Sequence, residues 1–80
     1  MFTGTITSVG AHGFWFLADD ESRDSVFVHI SQVENHKWLH LGDRVSFELG
    51  TNPKSGRPWA TNVKIVWAAP ISKPELGEQS

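Results

Sequence analysis

The chain contains no cysteine and no tyrosine among its 80 residues. Without cysteine, neither a disulfide nor a thiolate zinc site can hold the fold, so hydrophobic burial and strand pairing must. No apolar run approaches the ~18 residues of a membrane span, and the first residues lack the charged-then-apolar pattern of a secretory signal. The expectation is a soluble, cytoplasmic protein with no membrane partner. A basic excess is missing too: seven Lys and Arg stand against nine Asp and Glu, a net charge of -2. That argues against a binder whose affinity comes chiefly from a cationic, phosphate-gripping surface. It leaves room for one that works by stacking. The length suits one domain, and a domain this small buries only about 60% of its unfolded surface, so its stability should be modest.

What the chain does have is rings. Five Phe and four Trp are many for so small a core, and Trp is rarely buried whole. Some of these rings belong on the surface.

Alternation marks the strands. Phe2, Gly4 and Ile6 alternate with Thr3, Thr5 and Thr7, the period of two of a half-buried strand. After a turn at Gly10 to Gly13, Phe14 to Leu17 forms a short apolar strand, and Val26 to Ile30 returns across the polar loop Asp19 to Asp24. Ser31 and Glu34 have capping-box spacing, which predicts one short helical turn. In the fourth strand, Arg44 to Leu49, the face of Val45, Phe47 and Leu49 points inward. Asn52-Pro53 and Ser55-Gly56 mark a loop before a fifth strand from Trp59 to Trp67. Residues 68–80, with Pro70, Pro74 and scattered charge, read as a disordered tail. Five strands without a long helix suggest a small closed barrel, an SH3-like barrel being the nearest competitor.

Neighbouring residues of a strand point to opposite faces. Giving the barrel interior the aliphatic residues Leu17, Val26 and Val28 leaves Phe14, Phe16, Phe27 and His29 together outside, as cross-strand neighbours in a hairpin. The reverse assignment fills the core with Phe but drives Leu17, Val26 and Val28 into water. An apolar ring patch on a soluble monomer calls for a ligand, and flat rings on a rigid sheet suit unpaired bases, each of which offers a π-face.

These residues carry a resemblance. His12-Gly13-Phe14-Trp15-Phe16-Leu17 is similar to the Lys-Gly-Phe-Gly-Phe-Ile motif of the bacterial cold-shock domain family, and Val26-Phe27-Val28-His29-Ile30 to its Val-Phe-Val-His-Phe motif. The likeness continues through Gly42 to Phe47, Gly56-Arg57-Pro58 and Ala60 to Val63, covering roughly residues 3–66, with one residue missing before Gly13. It implies a five-stranded oligonucleotide/oligosaccharide-binding (OB) barrel that binds single strands, with bases on the rings matching Phe14, Phe16, Phe27 and His29.

The departures matter as well. Thr7-Ser8-Val9-Gly10 stands where the family has Lys-Trp-Phe-Asn, so at least one stacking ring is gone. His12 replaces the motif's Lys, Ile30 replaces a Phe, and Trp15 occupies the glycine slot. Alternation turns Trp15 inward, into a core trimmed to admit it, unless a bulge flips it out. Trp59 can replace a lost ring at the platform edge. Trp38, beside Lys37, borders the platform in the family; for both Trp38 and Trp59 the alternative is a hydrophobic plug under a loop. Trp67 is expected to cap the barrel.

Other signals are weaker. His36 and His40 have the spacing of a helical metal pair but no third ligand, so a solvated loop is expected. The acidic loop Asp19 to Asp24 lacks the central Gly of a calcium loop, and a hairpin tip that repels phosphate is the simpler reading. His12 and His29 lack the nucleophile and oxyanion site a ribonuclease would need.

The expectation is therefore an all-β protein: a small five-stranded antiparallel OB-fold barrel over residues 1–67, followed by the tail. It should be a monomer without metal or cofactor, binding single-stranded RNA or DNA non-enzymatically and with weak sequence selectivity, as an RNA chaperone would. The candidate contacts are Phe14, Phe16, Phe27, His29, His12, Lys37, Trp38, Arg57 and Trp59, with polar support from Lys54 and Asn62. The rival reading makes the aromatic face a protein-interaction surface.

Overall fold

In the computed structural model, which describes residues 1–69, the alternating N-terminal segment becomes β1, Phe2–Val9. It is followed by β2, Phe14–Asp19, and β3, Ser25–His29. Two 3₁₀ turns, Ile30–Gln32 and Glu34–His36, lead to β4, Arg44–Thr51, and β5, Pro58–Trp67. The strands close a barrel in the order β1-β2-β3-β5-β4. β1 serves both seams, pairing with β4 through Phe2 to Thr5 and with β2 through Gly4 to Val9. The shared stretch crowds Gly4, where a Cβ would stand 2.7 Å from the Ala18 carbonyl oxygen. Only glycine fits that approach.

The barrel is antiparallel except at one junction. β3 and β5 run parallel, through Phe27–Trp59 and Val28–Ala60. A wholly antiparallel barrel was the expectation; the long connection from β3 to β4 turns the hairpin around, so that β5 closes the barrel alongside β3.

The core is Ile6, Trp15, Leu17, Val26, Val28, Val33, Leu39, Val45, Phe47, Ala60 and Val63. Val33 and Leu39 come from the β3–β4 connection, and Val33 bridges to Val63. The expected capping box does not form. Ser31 lies inside the first 3₁₀ turn, whose N-cap is His29, because β3 feeds the turn directly.

Two irregularities in the β4–β5 ladder displace side chains from their expected faces. β5 carries an extra residue between the Ser46–Lys64 and Glu48–Thr61 pairs, where Asn62 adopts φ 51°, and another between Arg44–Trp67 and Val45–Ile65. Such bulges bend a strand and break its period. Ser46 and Phe47 are consequently both buried, while Leu49, expected inside, is 48% exposed. Trp67 is 53% exposed and does not cap the barrel.

Asp43 fastens the chain ends of the barrel. It is 2% exposed, and its carboxylate accepts from the backbone N–H of His40 at 2.9 Å and of Ala69 at 2.8 Å. Its own carbonyl accepts from Ile6 N–H. Ala69 is thus tied down just beyond β5, and the rest of the expected tail, residues 70–80, lies outside the described residues.

Candidate nucleic-acid interface

The β2–β3 register sets Phe14 opposite His29 and Phe16 opposite Phe27. Directly opposed residues of an antiparallel pair share a face, and Trp15, Leu17, Val26 and Val28 between them are all buried. The four rings are therefore on the outer surface, half-buried against one another. Phe27 is the hub. Its ring centroid lies 5.7 Å from Phe14, 5.6 Å from Phe16 and 6.5 Å from His29. The parallel junction adds Trp59, 6.5 Å from Phe27 with the ring planes within 4°. Five rings from three strands form one continuous platform.

Several local devices hold it. Nδ1 of His29 accepts from Ser31 N–H at 3.1 Å and lies 2.8 Å from Ser31 Oγ. That fixes the ring's rotation and leaves Nε2 as its donor. Phe14 lies over Gly10, whose backbone N–H donates to the Phe14 carbonyl at 2.8 Å; a Cβ at Gly10 would run into the Phe14 ring. On the other flank Phe16 is partnered by Ser8 across the β1–β2 ladder. A small hydroxyl there gives the platform no ring on its β1 side.

The remaining expected residues occupy the margins. Trp15 is fully buried, settling the inward alternative, and its Nε1–H has no hydrogen-bond partner. Trp38 meets it edge to face at 5.1 Å while remaining 48% exposed. It is a half-open cover over Trp15 and makes no ring contact with the platform hub among the described residues. His12, Lys37, Lys54, Arg57 and Asn62 are all exposed. Arg57 lines a groove of about 720 Å³ together with Phe16 and Phe27, so it reaches the platform's edge. Leu49, Asn52 and Asp24 line the same groove; alternation assigned Leu49 to the core, and only the β5 bulge exposes it.

The acidic loop is more ordered than a simple repelling tip. Asp19 is buried, and its Oδ1 accepts from the N–H groups of Glu21 and Ser22 at 2.8 and 3.0 Å. Asp20 pairs with Arg44 and Thr3. Among the described residues, no group of three or more His, Cys, Asp or Glu side chains comes together to hold a metal, and no helix is long and apolar enough to cross a membrane.

Residues 2–66 match the family model described as the 'Cold-shock' DNA-binding domain. This chain belongs to the cold-shock domain family. A probable cold shock protein of Sinorhizobium fredii is 40% identical over 67 residues, covering 80% of this chain and 97% of that protein. A cold shock protein of Arthrobacter globiformis is 39% identical over 69 residues, covering 82% and 100%. Among solved structures, the Drosophila Unr CSD456 chain superimposes with a TM-score of 0.66 at 28% identity, covering 89% of this chain and 28% of that one. The OB-type barrel and the generally nucleic-acid-binding character of the family follow from these matches. Within the family, this cold-shock domain is set apart by Ser8 on the platform's flank and Trp15 beneath it.

Proposed function

We propose that this cold-shock domain binds single-stranded RNA or DNA, without enzymatic activity, by stacking bases on Phe14, Phe16, Phe27, His29 and Trp59. The observation that carries this reading is the outward ring cluster centred on Phe27, assembled in register from three strands. Each stacked base contributes about 1–3 kcal/mol by alanine substitution, whatever its identity. Selectivity from stacking alone is therefore weak. Such binding favours open strands over paired ones, which suits a chaperone of RNA structure. His12, Lys37, Trp38 and Arg57 at the margins, with Lys54 and Asn62, supply the supporting contacts.

The test is a titration of unstructured oligonucleotides followed by Trp fluorescence, with Phe14→Ala, Phe16→Ala and Phe27→Ala as variants. Each should weaken binding by about 1–3 kcal/mol while unfolding remains cooperative. Wild-type protein that ignores every oligonucleotide would overturn the proposal and leave the ring face to a protein partner.

A further inference from the structure

The groove at the platform's edge carries chemistry that stacking does not require. Its volume of about 720 Å³ falls in the range of small-ligand pockets, about 300–1,000 Å³. Phe16 and Phe27 lie on one side, so a strand crossing the platform passes its mouth. Leu49 and Pro58 add apolar wall, and Asp24 and Arg57 add opposite charges. Among the described residues, neither the Asp24 carboxylate nor the Arg57 guanidinium has a hydrogen-bond or ion-pair partner; only the backbone N–H groups of these residues are engaged, by Ser22 and Ser55. Asp20 and Arg44, by contrast, satisfy each other.

Charge selects the occupant. Asp19 and Asp24 both line the groove, which disfavours a phosphate. The occupant is therefore uncharged, flat enough to continue from the rings, and equipped with paired donors and paired acceptors. Guanine meets all three conditions. Its N1–H and N2–H₂ can donate together to one carboxylate, and its O6 and N7 can accept together from one guanidinium. Adenine, cytosine and uracil each interleave donor and acceptor on the Watson–Crick edge and offer a carboxylate no such pair.

We infer that this groove is a guanine-reading subsite, with Asp24 accepting from N1–H and N2–H₂ and Arg57 donating to O6 and N7. It rests on the proposed single-strand binding, because the base arrives on a strand held by the platform. It makes one position of an otherwise tolerant site selective.

An all-thymine oligomer and variants with a single guanine, inosine or adenine at each position in turn provide the test. Guanine at one register position should tighten binding about fivefold or more over thymine, the lower end of what one bidentate base contact gives. Inosine, which lacks N2–H₂, should lose part of that gain. Asp24→Asn should erase the difference between guanine and inosine, and Arg57→Ala should weaken both alike. Guanine, inosine and adenine binding equally at every position would overturn the subsite and leave the platform intact. Absence of binding by every oligomer, the all-thymine one included, would instead remove the platform reading, and the subsite with it.

Discussion

Phe27 and Trp59 lie side by side across the only parallel strand pair of the barrel, their ring planes within 4° and their centroids 6.5 Å apart. Trp59 thereby extends the platform away from β1, the side on which Ser8 leaves no ring. Trp59→Ala should weaken oligonucleotide binding by about 1–3 kcal/mol and remove most of the fluorescence change that binding produces. Equal affinity of a folded Trp59→Ala variant would mean that the platform stops at Phe27.

The salt dependence should be shallow. Arg44 is engaged by Asp20, and few other cations border the rings. At about -0.7 per neutralised phosphate on a single strand, the slope of log affinity against log salt should be shallower than about -3. Titrations across a salt series measure it. A steeper slope would transfer the main binding contribution from rings to phosphate contacts.

Trp15 tests the core. It is fully buried, with Trp38 packed edge-on at 5.1 Å. Trp15→Gly should cost about 3–5 kcal/mol through the cavity it leaves, enough to threaten folding in a domain of this size. Trp15→Phe should be far milder, since it keeps a ring and removes the unpartnered Nε1–H, whose burial itself costs about 1–3 kcal/mol. Urea unfolding of both variants distinguishes the effects. Wild-type stability in Trp15→Gly would be incompatible with the buried ring.

Asp43 is expected to matter for stability and not for binding. Asp43→Ala leaves the N–H groups of His40 and Ala69 without their acceptor, and the loss should be about 2 kcal/mol or more. Thermal unfolding, with oligonucleotide affinity measured well below the transition, checks both halves. A loss of affinity in the fully folded variant would show that the Asp43 junction shapes the platform.

Alternation by itself determined the hairpin and its faces. The period of two is local geometry, and putting Leu17, Val26 and Val28 inside leaves Phe14, Phe16, Phe27 and His29 outside wherever the rest of the chain goes. The inward course of Trp15 followed from the same rule, and the paired motifs placed the barrel type. The tertiary structure decided what depends on register between distant strands. Trp59 joins the platform because β5 pairs in parallel with β3, a long-range choice that no local pattern encodes. Leu49 and Trp67 face solvent because β5 takes in two extra residues, and a one-residue shift in register reverses every later face. Asp43 looked like turn punctuation after Gly42. Its buried carboxylate became visible only once the barrel brought Ala69 within hydrogen-bonding distance. The groove uniting Asp24 with Arg57 likewise exists only when two loops far apart in the chain meet beside the rings, since side-chain chemistry is written in the sequence but its convergence is a property of closure.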